Sequence, residues 1–350
     1  MCVIYLAGGC FWGLQRYFDQ FPGILETTVG YANGNGETPS YKEVCTQKLG
    51  YTETVKIKYD PMLICLSQIL DLYMDVIDPI ALNKQGEDEG TNYRTGIYYV
   101  DKADVRIIRH TMCLWQNKFK EDLQVEVLPL QNFYGAEEYH QKYLEKNEGG
   151  YCHIPFAKLH IKDFKPMTHI ERMEREDLIY VLDSELSAIR ENSNQLVYEM
   201  NQVENWNKEK REEYAKKIFG HVGEQVHIKS DFQCDYGKNI FFGNHVFVNT
   251  GCVFNDVGRI EIGNHVLIGP QVGIYSVNHP LNADLRRTGL EYASHIKIGD
   301  DCWIGGHASI NPGVTLGNRV VVASGSVVTE SFGDDVLIAG VPAKVVKRLD

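Results

Sequence analysis

The chain reads as a two-layer α+β sandwich followed by a helical segment and a parallel β-helix. Three observations carry this. Residues 1–164 alternate short apolar strands with amphipathic helices, residues 165–221 are rich in Lys and Glu at helical spacing, and residues 222–350 repeat every six positions. These three stretches are the expected domain, linker and second domain. A 350-residue chain is long enough for two cores.

The elements follow in order. "VIYLAG" is a short apolar strand, and "CFWGLQRYFDQF" continues at helical spacing. "TETVKIKYDP" alternates Val55, Ile57 and Tyr59 against lysines, as a half-buried strand does. "SQILDLYMDVI" predicts an amphipathic helix capped by Ser67. "TGIYYV" is a strand, "DKADVRIIRHTMCLWQNKFKED" a longer helix and "AEEYHQKYLEKN" a short one. "KPMT" marks a linker near Lys165, and charged helices run on to "NKEKREEYAKKIFG".

Then the period changes. Ile262, Ile268 and Ile274 lie six apart, as do Ile298, Ile304, Ile310, Leu316, Val322 and Val328. Gly263, Gly269, Gly299, Gly305 and Gly317 directly follow several of them. A period of six suits neither a helix nor a hairpin sheet. It is the mark of a solenoid whose flat walls are one hexad each, three to a turn. The period breaks between Phe254 and Ile262, and the chain between Ile274 and Ile296 must make an excursion, the place where a solenoid keeps working loops.

Composition narrows the function. The net charge of -12 and the lack of a dense Lys/Arg cluster exclude a nucleic-acid surface. No run of apolar residues reaches membrane length, and the first residues lack the basic and apolar regions of a secretory signal. "LAGGC" resembles a lipoprotein cleavage box, but only Val3 to Leu6 precede it as an apolar run. The nine cysteines are odd in number and irregularly spaced, without a Cys-x-x-Cys pair. That predicts a reducing, cytoplasmic setting and no metal.

"LAGGCFWG" places Cys10 where a strand and two glycines meet a helix. A helix N-terminus favours a thiolate, the form that attacks electrophiles. Cysteine is also a common small core residue, so these residues alone leave nucleophile and core residue both open.

"GCFWG", "PSYKEV", "GYTETV", "QGEDEGTNYRTGIYY" and "YHQKYLEKNEGGYC" occur in this order across residues 1–160, and together they resemble the type A peptide methionine sulfoxide reductases. The resemblance implies a ferredoxin-like fold and thiol-dependent reduction of methionine S-sulfoxide, free or in peptides. It also implies that Cys10 attacks the sulfoxide sulfur and that Phe11 and Trp12 pocket the S-methyl group. Glu53 would protonate the oxygen, Tyr41 and Tyr93 would hydrogen-bond it, Asp88 would order the site, and Cys152 would resolve it. The chemistry asks for such parts. Sulfoxide oxygen leaves only when protonated, and an acid working near neutrality needs a raised pKa. Attack yields a sulfenic acid that a second thiol condenses to a disulfide, which thioredoxin or another dithiol reopens. Cys152 must then come within about 7 Å of Cys10, Cα to Cα. The glycines of "NEGGYC" suit that approach. Two departures stand out: Gln15 where many members carry Glu, and Glu87 where Asn is frequent. No further cysteine follows Cys152 before the linker, so a two-cysteine cycle is expected.

In the second half, "VFVNTGC", "GPQVGIYSVNHPL", "RRTGLEY", "IKIGDDCWIGG", "NPGVTLG", "ASGSVVT" and "AGVPAKVVKR" resemble the maltose/galactoside O-acetyltransferases of the hexapeptide-repeat class. This implies a left-handed β-helix and homotrimers with sites between subunits. His279 would be the general base that deprotonates a hydroxyl of a sugar-like acceptor as it attacks acetyl-CoA. Asn249 and Asp256 would bind the acceptor, and Trp303 would line the site. Gly306, Ser324, Thr329 and Lys344 match positions that contact CoA, whose phosphates want the positive charge of Lys344, Lys347 and Arg348. Val257 replaces a carboxylate of some members, and Glu330 a frequent lysine.

The expected function is therefore a sulfoxide reductase joined to an O-acetyltransferase. A reductase whose solenoid only trimerises it is the alternative. A third reading makes Cys10 and Cys152 a redox switch for acetyl transfer.

Overall fold

The computed structural model describes residues 1–147, 149–161 and 163–349. Glu148 of the "NEGGYC" approach lies outside them. The chain divides into two compact units, Met1–Thr168 and His169–Asp350.

In the first unit the main sheet is built from β1 (Cys2–Ala7), β2 (Ile24–Ala32), β3 (Thr52–Tyr59), β4 (Gly96–Tyr99), β5 (Glu126–Pro129) and β6 (Phe133–Gly135), beside a small ribbon of Lys84–Gln85 and Asp88–Glu89. The order across the main sheet is β5-β4-β1-β3-β2-β6. Only the β4–β5 pair is parallel. The helices are α1 (Phe11–Phe18), α2 (Tyr41–Cys45), α3 (Leu66–Val76), α4 (Asp104–Gln116) and α5 (Tyr143–Lys146).

Strand β3 is paired on both edges, by β1 and β2, and helix α1 packs against it; Thr52 through Val55 are all buried. The expected alternation survives only at the half-exposed Lys56 and Lys58. The expected Ser67 cap is corrected. Helix α3 starts at Leu66, its N-cap is Cys65 in an extended conformation, and Ser67 is buried in the first turn. Beyond α3, Gln68 donates to the Lys165 carbonyl and accepts from the Met167 amide, so the stretch read as linker is tied to the first unit.

In the second unit short strands stack in parallel on three walls, one strand per wall per coil. Ile262 pairs with Ile298, Ile268 with Ile304 and Ile274 with Ile310, which is the six-residue period stacked on itself. These aliphatic side chains form one continuous core. Early coils advance 20 residues, from Phe242 to Ile262, and late ones 18, from Ile298 to Leu316. The extra residues occupy the corner that holds Asp256 and Val257, which accounts for the break between Phe254 and Ile262.

Coils approach too closely at one corner for a side chain. A Cβ on Gly263 would lie 2.7 Å from the Gly299 carbonyl carbon. The next residues make a ladder in which each amide donates to the side chain one coil on, from Asn244 to Asn264, then Asp300, Asn318 and Asp334. Another corner position has positive φ in every coil, at Gln225, His245, His265, Asp301, Arg319 and Asp335. Polar residues that tolerate the left-handed region serve there.

The excursion after Tyr275 is a strand (Val277–Asn278), a short helix (Ala283–Arg287) and a strand (Leu290–Ala293). It pairs with Leu178–Tyr180, a strand inside the segment read as helical. The helices Ser184–Gln202 and Lys208–Ile218 cover the open end of the core. Buried Arg211 donates to the carbonyls of Ile228, Met200 and Val203, which ties the C-terminal end of the first of these helices to the first coil.

Candidate active sites

Cys10 is the N-cap of α1 and only 7% exposed. Helix α1 begins there because β1 ends in two glycines, and Gly9 turns with a φ of 75° that a side chain disfavours. The expectation of an easily formed thiolate is corrected in sign. Burial, then the Glu53 charge, push the Cys10 thiol well above its ordinary value, and the Trp12 amide at the helix start opposes them only in part.

Glu53 reaches the same helix end from β3. Its Oε2 accepts from the Phe11 amide at 3.1 Å, one of the unpaired donors of the first turn. Burial raises its pKa to about 8 despite that bond. The result is a carboxylic acid, protonated at neutral pH, beside a buried thiol. Tyr41 and Tyr93 lie around it. Burial and the Glu53 charge raise both phenols, so they stay protonated as hydrogen-bond donors.

The Phe11–Trp12 pair is fixed by residues that spacing did not single out. Trp12 stacks on Tyr143 with centroids 3.8 Å apart, and its Nε1 donates to His140 Nδ1 at 3.2 Å. Burial keeps His140 neutral, and its ring contacts Phe11 and Tyr41. The Glu137 carboxylate accepts from the Tyr31 hydroxyl and the Tyr41 amide, which fixes the start of α2 and with it Tyr41. All stand in the quoted "YHQKY" run or just before it, but their roles arise only when α5 and its preceding turn return to α1. Gln15 is buried, donating to the Thr27 carbonyl and accepting from the Lys142 amide, a structural use of the departure noted above.

Cys152 is free, half-buried and close to α1. A Cβ on Gly13 would come 3.0 Å from its Sγ. Asp88 accepts from the Tyr151 hydroxyl at 3.0 Å and so anchors the segment that carries Cys152. A cleft of about 650 Å³ opens beside Cys152, lined among others by Arg16, Leu144 and His160.

In the second unit His279 is 55% exposed on the excursion. Its Nε2 is 3.7 Å from Oε1 of Glu291, a partly buried carboxylate on the returning strand. Sequence reading missed Glu291, though it stands in the quoted "RRTGLEY". The antiparallel pairing of Asn278 with Tyr292 brings it to the histidine. Asn249 follows the second wall, and Gly306 and Ser324 follow the same wall on later coils, where the Gly325 amide donates to the Gly306 carbonyl. Trp303 is 55% exposed on that wall, above Leu267. Thr329 is exposed after the third wall, and Lys344 pairs with Glu330 at 2.5 Å. Among the described residues no hydrogen bond joins His279 to Asn249, Asp256 or Trp303.

Asp256 is fully buried, its Oδ1 accepting from the amides of Asp235 and Tyr236. Burial raises its pKa from 3.8 to about 8. A raised folded pKa means that the stability tied to the neutral acid is full below about pH 4 and lost as pH rises through about 8. Asp256→Asn keeps the carbonyl acceptor and cannot ionise. In thermal melts it should gain more than ~1 kcal/mol on the natural chain between about pH 5 and pH 9. Parallel pH slopes would overturn this reading of Asp256.

Comparison with known proteins gives each half of the chain a family. The family model for peptide methionine sulfoxide reductase matches residues 2–171. That of the maltose acetyltransferase hexapeptide capping motif matches residues 172–223, and the bacterial transferase hexapeptide residues 295–330. The peptide methionine sulfoxide reductase MsrA of Clostridium acetobutylicum is 54% identical over 155 residues, 44% of this chain and 96% of that protein. Its counterpart in Lachnoclostridium phytofermentans is 52% identical over 152 residues, 43% and 92% respectively. Among solved structures, a maltose O-acetyltransferase from Clostridium difficile is 41% identical with a TM-score of 0.52, over 53% of this chain and 98% of that one. A hexapeptide-repeat acetyltransferase from Vibrio cholerae, solved with acetyl coenzyme A, is 36% identical with a TM-score of 0.50, over 53% and 100%. The chain is thus an enzyme in both halves: its first half belongs to the peptide methionine sulfoxide reductase MsrA family, and its second to the hexapeptide-repeat acetyltransferases related to maltose O-acetyltransferase.

Proposed function

We propose that the first unit reduces methionine S-sulfoxide, free or in peptides, and that the second transfers acetyl from acetyl-CoA to the hydroxyl of a sugar-like acceptor. The observation that carries the reductase reading is the protonated Glu53, held on the Phe11 amide beside Cys10. Glu53 donates its proton to the sulfoxide oxygen, with Tyr41 and Tyr93 hydrogen-bonding the same atom, and Cys10 sulfur attacks the sulfoxide sulfur. The S=O bond breaks, methionine leaves and Cys10 becomes a sulfenic acid, whose oxygen came from the substrate. Cys152 condenses with it to a disulfide and water, and thioredoxin or a similar dithiol reduces the disulfide.

In the second unit His279, steadied by Glu291, takes the acceptor proton as the oxygen attacks the thioester carbonyl. Asn249 and Trp303 serve the acceptor directly, and fully buried Asp256 serves it only through the Asp235 and Tyr236 amides that it holds. Gly306, Ser324, Thr329 and Lys344 serve CoA, whose thioester supplies the acetyl group. The solenoid winds left-handed and trimerises, the reductase is ferredoxin-like, and the enzyme works in the cytoplasm.

Reduced protein given one equivalent of methionine S-sulfoxide should lose the Cys10 and Cys152 thiols to a mutual disulfide and release one equivalent of methionine. Peptide mapping with a thiol count reads both. Intact thiols with no methionine would overturn the reductase reading.

A further inference from the structure

His153 directly follows the resolving cysteine, and the proposed cycle leaves it without a task. It is half-buried, and both ring nitrogens are buried without a hydrogen-bond partner among the described residues. The Gly8 backbone lies near the ring and favours its charged form, though no bond from it to either nitrogen meets full hydrogen-bond geometry. A buried polar group left unpaired costs stability, so a ring kept in this way invites a functional explanation.

Its surroundings supply one. The ring rests on glycines at the start of α1: a Cβ on Gly9 would lie 3.2 Å from His153 Cε1, and one on Gly13 3.4 Å from it. The same point on Gly13 is 3.0 Å from Cys152 Sγ. The imidazole and the resolving thiol therefore converge on one small patch of α1, next to the turn that carries Cys10. The groups whose charges bear on this patch are Asp88, Glu53, Cys10 and Cys152.

We infer that His153 is the base for the resolving step, taking the S–H proton of Cys152 as its sulfur attacks the Cys10 sulfenic acid. This rests on the reductase reading above. The step balances without an added reactant. The S–H bond of Cys152 and the S–O bond of Cys10 break, and one S–S bond forms. The sulfenic oxygen leaves as water, with the proton that passed through the imidazole. Cys152 is oxidised, and the sulfenic sulfur of Cys10 is reduced to the disulfide level.

Burial supports the assignment from two sides. It raises the Cys152 thiol, which leaves less thiolate to react unaided. It lowers His153, which keeps the imidazole neutral and able to accept a proton near pH 7.

The test separates the two chemical steps in one turnover of the full chain, using methionine S-sulfoxide as probe. Natural protein should release methionine and close the disulfide. In His153→Ala and His153→Gln the methionine burst should keep its rate and size, while disulfide closure slows at least about tenfold. The Cys10 sulfenic acid should then accumulate and be trapped by dimedone. Free imidazole should restore closure in His153→Ala. The pH profile of closure should also move up, from the histidine's ionisation to that of Cys152. An unchanged closure rate with an intact burst overturns this inference alone, and so does a burst lost together with closure in both variants. No burst in the natural protein overturns the reductase reading and this one with it.

Discussion

Glu53→Gln is expected to slow methionine release about 100- to 1,000-fold at pH 7, the usual contribution of a positioned general acid. Gln keeps an oxygen to accept from the Phe11 amide, so the start of α1 is preserved and the loss is that of a proton donor. The pH dependence has a definite sign. The active form of Glu53 is the neutral acid, and its pKa is pushed up to about 8 by burial. The natural rate should hold through neutrality and fall as pH rises through about 8. Glu53→Gln should lose that falling limb, because an amide does not titrate there. Rates of methionine release from about pH 6 to 9.5 check both statements. A variant within about threefold of the natural rate, or one that keeps the same alkaline limb, would move the proton donor elsewhere, with Tyr41 and Tyr93 next in place.

The second large effect belongs to the solenoid. His279→Ala should cut acceptor-dependent release of CoA thiol by about 10²- to 10⁴-fold and leave methionine release unchanged. Glu291 acts through the histidine, at 3.7 Å from its Nε2. Glu291→Gln should therefore cost less, about tenfold. Maltose is a suitable first acceptor. Loss of acetyl transfer in neither variant would leave the solenoid as a scaffold. If oxidation of Cys10 changed acetyl transfer, the redox-switch reading would take precedence.

Much of this was legible before the fold was known, and what was not has identifiable causes. Strand β3 could be read from Val55, Ile57 and Tyr59. Its burial on both faces could not, because that depends on helix α1 and the other segments that fold over the sheet. Strand β2, the short strands β5 and β6 and the five-residue helix α2 were not singled out. A strand of three or four residues carries too few positions to show a period, and the longer β2 does not alternate because Gly30, Tyr31 and Ala32 are buried in succession. Ser67 resembled a cap because hydroxyl residues often begin helices, but the chain enters α3 one residue earlier and the serine turns inward.

The sites divide in the same way. Cys10, Glu53, Cys152 and His279 stand in runs that could be recognised by residue order. Glu137, His140 and Glu291 become partners only when another segment returns, so no local spacing announces them, and His153, though next to Cys152, meets Gly9 and Gly13 only through the fold.

The amino-acid sequence by itself determined the two-part organisation and the three-walled solenoid. A six-residue period can bury its aliphatic side chains only by stacking coil on coil, and the glycine after the repeating aliphatic residue leaves room for that stacking. Tertiary structure alone decided which groups hold protons. The sequence rule for a helix N-terminus makes Cys10 an easy thiolate, yet burial holds it protonated, and burial makes an ordinary strand glutamate into an acid at neutral pH. Ionisation is set by how much water the fold removes from a group and which charges it brings near. Both depend on residues far away along the chain.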